Sequence, residues 1–196
     1  MLVNESVSSF LTTEIVGYFS ERAKNVKPDA SITKRLPTLM NFSTLTSLEN
    51  QGVLVGLKLT ERLLYREPLF GGMPLDIARF VGLSLWKAVF GKKVGSVKMV
   101  DKIFYLSDSN FKWLLGYSKL SEVDRIYTTA IVDSEGSNEL GFSLQRGDDN
   151  MRHRCVLMYT VGLIKGCVHT LSEGAEVRVS GTYSKEGESQ FVLDFK

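Results

Sequence analysis

The residues of this chain best suited to metal or nucleophilic chemistry are two histidines and two cysteines, all within Arg152–Leu171. That segment predicts one helix, on which His153 and His169 stand about 24 Å apart in height and nearly opposite in azimuth. They cannot share a metal or act as a pair within one chain, and no cysteine cluster supplies zinc ligands. Cys155 and Cys167 lie about 18 Å apart along the same axis, beyond disulfide reach, and are expected to be buried small hydrophobes. Gly91-Lys92-Lys93-Val94-Gly95-Ser96 has the composition of a phosphate loop, but its spacing is wrong and it follows a helix instead of opening one. No histidine is placed to activate the isolated Gly-x-Ser-like segments. Glu61, Glu67 and Asp76 read as solvated helix ends rather than a carboxylate pair. The chain is expected to be no enzyme, with no catalytic residue, cofactor site or metal site.

Composition bounds the rest. At 196 residues the chain fits a single domain spanning 1–196, able to bury roughly 70% of its unfolded surface. Apolar content of 43% and charged content of 23% suit a globular protein, and a net charge of +2 implies no nucleic-acid partner. No apolar run reaches the roughly 18 residues needed to span a bilayer. Met1–Val16 has no basic opening and is broken by Asn4, Glu5 and Glu14, unlike a signal peptide, so a soluble cytoplasmic chain is expected.

The elements follow from periodicity. Val7, Phe10, Leu11, Ile15, Tyr18 and Phe19 recur at helical steps over Glu5–Lys24, and a polar loop with Pro28 covers Asn25–Lys34. A second helix is predicted over Ser43–Tyr65, capped by Ser43 or Thr44. On it, Leu45, Leu48, Gly52, Val55, Leu59 and Leu63 repeat at about seven residues. Glycine inside a helix costs about 1 kcal/mol against alanine, so Gly52 and Gly56 suggest close approach of another backbone, in a partner or in the chain's own core. A third helix opens at Pro74 and stops at Gly91; it is apolar over so much of its circumference that a central position is expected. Ile103–Leu106 reads as a strand, Ser107–Asn110 as a turn and Phe111–Leu115 as a return strand. Ile126–Val132 and Leu140–Leu144 pair as an extra hairpin, or else Gly116–Asn150 is a partly disordered excursion. A last helix covers Arg152–Leu171, with Gly162 and Gly166 on one face. A closing hairpin joins Glu176–Tyr183 to Gln190–Phe195. The fold class is α/β of the α+β type: a small twisted antiparallel sheet packed against four or more helices.

The wording of several segments goes further. Gly56-Leu57-Lys58-Leu59, Leu75-Asp76, Trp86-Lys87 ahead of Phe90-Gly91-Lys92, and Val161-Gly162-Leu163-Ile164-Lys165-Gly166 resemble the small subunits of the transport protein particle, TRAPP. Within that family the wording is most similar to the thirty-three-kilodalton-type branch. The resemblance implies a Bet-three-like fold, with a lineage-specific insertion at about 116–150. It also implies a non-catalytic scaffold subunit of a complex that tethers vesicles and exchanges nucleotide on a Rab-type GTPase, in ER-to-Golgi and Golgi traffic. In one branch a cysteine just before the aromatic helix carries an acyl chain. The corresponding loop here, Arg66–Met73, has no cysteine, which implies the partner of an acylated Bet-three-type subunit. A stand-alone lipid- or small-molecule-binding module of the vinyl-reductase-like kind shares the fold and is the alternative.

Two surfaces follow. In the family, equivalent helices of two different subunits pack together, so the resemblance implies a heterodimer interface at Val7, Phe10, Leu11, Ile15, Tyr18, Leu45, Leu48, Gly52, Val55, Gly56 and Leu59. From Arg79 to Lys102, the cations Lys87, Lys92, Lys93, Lys98 and Lys102 are accompanied by Arg79 and opposed only by Asp101. They form either a solvated helix end or a face for anionic membrane or an acidic partner, each lysine near a membrane contributing about 1 kcal/mol.

Overall fold

Helices cover one face of an antiparallel sheet, in a computed structural model that describes residues 14, 15, 17, 18, 36–66, 72–114, 125–132, 151–172, 175–184 and 186–196. Glu14, Ile15, Gly17 and Tyr18 are helical and belong to the first predicted helix, whereas Val7, Phe10 and Leu11 lie outside the described residues. The second predicted helix, α1 (Leu36–Leu64), begins at Leu36 rather than at Ser43. Pro37 stands in its opening turn, where a missing amide donor costs nothing, so no cap at Ser43 is needed.

The third predicted helix opens at Pro74 and closes at Gly91, as its sequence requires. Met73 is extended before α2 (Pro74–Phe80), one π turn (Val81–Leu85) follows without a break, and α3 (Trp86–Phe90) completes the run. Gly91 takes φ 70° and donates its amide to the Lys87 carbonyl at 3.0 Å. The Gly82 carbonyl in the π turn accepts from the Val94 amide at 2.9 Å, folding the following loop back against the helix. The π turn also shifts the helical phase, and Leu83 within it is 51% exposed.

The sheet has strands β1 (Ser96–Val100), β2 (Ile103–Asp108), β3 (Arg125–Val132), β4 (Val177–Ser184) and β5 (Ser189–Phe195). Their order is β1-β2-β5-β4-β3, with every pair antiparallel. Phe104 and Leu106, Val177 and Val179, and Phe191, Leu193 and Phe195 point to the covered face; the residues alternating with them stay half-exposed or exposed. The closing hairpin β4–β5 is the predicted one.

One strand prediction needs correction, and one strand was not predicted. Phe111–Leu114 gives no return strand, Leu115 lying outside the described residues: Lys112–Leu114 is a short 3-10 helix, and both edges of β2 are taken by β1 and β5. Ser96–Val100, to which the sequence reading assigns no element between Gly91 and Ile103, is a strand. Ile126–Val132 is the strand expected, and on one edge β3 pairs with β4 along all its residues, from Arg125↔Ser184 to Val132↔Val177. Leu140–Leu144 lies outside the described residues.

The central element is α4 (Met151–Leu171), not the third predicted helix. It is buried from His153 through Val168 without interruption, between α1 on one side and β3 and β4 on the other. The α2–α3 run leaves Leu75, Arg79, Leu83 and Lys87 exposed. Beside it Trp86, Phe90, Phe111, Trp113 and Phe191 form one aromatic cluster; ring centroids lie 4.6 Å apart for both Trp86–Phe90 and Phe90–Trp113, and 5.3 Å for Trp86–Phe191.

Candidate subunit interface

The glycines of α1 and α4 interlock with one another. A Cβ on Gly52 would collide with the Tyr159 carbonyl, one on Gly56 with Leu163, one on Gly162 with Glu49 and one on Gly166 with Val53. Two glycines from each helix thus bring the two backbones into direct contact, which any side chain would prevent. Leu45 and Leu48, 1% and 0% exposed, are buried in the same core. The sequence left open whether the glycine face meets a partner or the chain itself; the backbone it meets is α4 of the same chain. Leu45, Leu48, Gly52 and Gly56 are taken up inside the chain, and the assignment of these four to a subunit interface is corrected accordingly.

An ion pair fixes the register of this contact. Lys165 Nζ donates to Glu49 Oε1 at 3.0 Å, with the two side chains 11% and 1% exposed. A displacement of one helix against the other would leave a buried charge unpaired, a far larger penalty than the pair's net stabilisation. Next to it, Thr60 and Thr160 donate their hydroxyls to the Gly56 and Val156 carbonyls, both at 2.8 Å, so these polar groups enter the core already satisfied.

Three of the four residues singled out for chemistry are buried. Cys155 and Cys167 are fully buried on α4, and burial pushes both thiols up to about 12. Held neutral, they offer no thiolate to an electrophile or a metal. His153 is buried and stacks on Tyr183 with ring centroids 5.5 Å apart, while His169 is exposed. Among the described residues, no group of three His, Cys, Asp or Glu side chains is placed to hold a metal ion.

The basic segment divides in two. Lys92 Nζ donates to Asp108 Oδ1 and to the Asn110 carbonyl, both at 2.6 Å. Asp108 also accepts from Trp86 Nε1 at 3.1 Å and from the Asn110 amide at 3.0 Å, while Ser189 Oγ donates to its carbonyl at 3.0 Å. Through its carboxylate Asp108 therefore ties Trp86 at the start of α3 and Lys92 just past its end to the end of β2, and through its carbonyl it holds the start of β5. Lys92 belongs to that latch and is corrected out of the candidate contact face. Lys87, Lys93, Lys98 and Lys102 are exposed. Sequence reading missed Asp108, for which the only signal is an acidic residue directly after an apolar strand.

Of the remaining interface candidates, Ile15, Val55 and Leu59 are half-buried against the core, and Tyr18 is 59% exposed. The outward face of α1 adds Leu54, 56% exposed, alongside the Lys58–Glu61 pair, and Tyr65, just past the helix end, is 93% exposed. Leu54 and Tyr65 fall outside the seven-residue repeat, so the repeat marks the inward face of α1. No helix among the described residues is long and apolar enough to cross a membrane.

Comparison with known proteins gives this architecture a place. An uncharacterised protein of Schizosaccharomyces pombe is 33% identical over 114 residues, which is 58% of this chain and 43% of that protein, so the match spans less than half of the relative's length. Residues 8–196 match the family model described as transport protein particle (TRAPP) component. With an antiparallel sheet backed by helices and a match over nearly its whole length, the chain belongs to the family of TRAPP components, which serve a vesicle-trafficking complex.

Proposed function

We propose that the chain is a non-catalytic scaffold subunit of the TRAPP tethering complex, paired with an acylated Bet-three-type subunit. Any nucleotide exchange on a Rab-type GTPase then belongs to the assembled complex. The observation that carries this reading is the family match over residues 8–196. It is supported by the two thiols held neutral inside a helix core, which leaves the chain's most reactive side chains without access to a substrate. The setting that follows is cytoplasmic and peripheral to Golgi and ER membranes.

The pairing surface is the first predicted helix together with the flank of α1: Val7, Phe10, Leu11, Ile15, Tyr18, Val55 and Leu59. An obligate interface of this kind buries on the order of 2,000 Å² and is strongly apolar. Changing Phe10→Asp together with Leu11→Asp is expected to abolish pairing and leave a folded, monomeric chain. Light scattering on coexpressed subunits, with circular dichroism alongside, reads both properties. Unfolding of the double variant would assign that stripe to the chain's own core instead. Lys87, Lys93, Lys98 and Lys102 form a second surface, for an anionic membrane or an acidic partner.

A further inference from the structure

All five residues of β1 are exposed, and among the described residues the strand is paired on one side only, with β2. Exposed edge strands usually carry charges, proline or a bulge that discourage further pairing. Here the strand has one charge, Lys98, while Val97, Met99 and Val100 are 44%, 59% and 56% exposed. The Asp101-Lys102 turn, in which Asp101 alone has a positive φ of 57°, joins β1 directly to β2. A two-residue turn makes Val100↔Ile103 a mutually hydrogen-bonded pair, and alternation extends this to Lys98↔Tyr105 and Ser96↔Ser107. The amides and carbonyls of Val97 and Met99 consequently point away from β2, in the direction an added strand would occupy.

We propose that β1 is a strand-addition site for an extended, acidic segment of a partner polypeptide. This gives the cationic surface a specific occupant and does not rest on subunit pairing through the first helix. Lys93, Lys98 and Lys102 are exposed within or beside the strand and are opposed there by Asp101 alone, because Lys92 is engaged with Asp108. Val97 and Met99 lie on the face shared with Leu106 and Phe104, and Lys98 lies on the other. A guest strand alternating apolar and acidic residues therefore matches both faces at once. A second copy of this chain fits less well, since antiparallel pairing centred on β1 sets Lys98 opposite Lys98. A lipid surface fits less well too, because it offers no partner to the outward backbone groups of Val97 and Met99.

The test uses the full chain and three probes: a labelled synthetic peptide alternating valine and glutamate, its valine–lysine counterpart, and phosphatidylserine vesicles. Fluorescence anisotropy should show binding of the glutamate peptide and none of the lysine peptide. Lys98→Glu should weaken that binding about tenfold, and Met99→Pro, which removes one outward donor and keeps the β1–β2 bonds, should do likewise. Amide hydrogen exchange gives a reading on the unmodified chain, with the peptide protecting Val97 and Met99 selectively. Absence of peptide binding, or binding without that protection, would overturn the proposal. Vesicle binding that depends on Lys98 in a chain that ignores the peptide would assign the surface to a membrane instead. None of these residues belongs to the proposed pairing surface, so either proposal can fail without the other.

Discussion

At the scale of single residues, the pH behaviour of the fold follows from two buried thiols. Burial raises the pKa of Cys155 and Cys167 from 9.0 to about 12, because each thiolate would lose its hydration in the α1–α4 core. An unfolded chain releases these protons near pH 9 and the folded chain holds them, so their contribution is intact below about pH 9 and is lost as pH rises towards about 12. Tyr159 and Tyr183, also raised by burial, act in the same direction. The melting temperature should therefore show no thiol-dependent change up to about pH 9 and fall beyond it, as thermal melts across a pH series would show. Cys155→Ala or Cys167→Ala should cost about 1–3 kcal/mol through the cavity left behind and flatten part of that alkaline decline. The Asp108 latch gives a second residue-scale prediction. Asp108→Ala leaves the Trp86 indole without its acceptor and Lys92 without its counter-charge, with only the Asn110 carbonyl to bond, and should destabilise the chain by about 2–3 kcal/mol in chemical denaturation. Asp108→Asn, which keeps one acceptor oxygen, should cost less.

At the scale of elements, the contact between α1 and α4 decides stability. Gly162→Ala would drive a Cβ into the Glu49 backbone, and Gly56→Leu would push a larger side chain against Leu163. Each should lower unfolding free energy by about 1–3 kcal/mol or more in the isolated chain, independently of protein concentration. A loss that appeared only in subunit pairing would contradict the intramolecular assignment. The sequence made most of this layer readable: helical glycines at four-residue spacing announced a close backbone approach, and Pro74 and Gly91 set the limits of the third helix. Whose backbone approached was not readable, since nothing local distinguishes the chain's own α4 from a partner's helix. Strand partners were unreadable for the same reason. The strand-forming residues of β3 set the strand itself, but its pairing with β4 is decided by the distant part of the chain that places β4 beside it. Ser96–Val100 reads as a link because its lysine and serine dilute an apolar pattern that only matters once β2 is alongside. The Asp108 latch joins residues up to 81 apart in sequence, as Ser189 is to Asp108, and such contacts leave no periodic trace.

At the scale of the whole molecule, the chain sets the two proposed contact surfaces, which differ in character, on a helix-on-sheet body. One lies on the first helix and the flank of α1, where Tyr18 and Leu54 are exposed. The other is the open edge of β1 with its lysines. A scaffold subunit of the kind proposed should work only in company, and its partners should define it. The central claim is therefore tested by purifying the tagged full chain from its own cells and identifying the bound polypeptides, with their ratio measured by native mass spectrometry. The predicted result is recovery of other TRAPP components, with a Bet-three-type subunit at a one-to-one ratio. Recovery of a folded chain that is alone, or that carries a small molecule and no protein partner, would contradict the account.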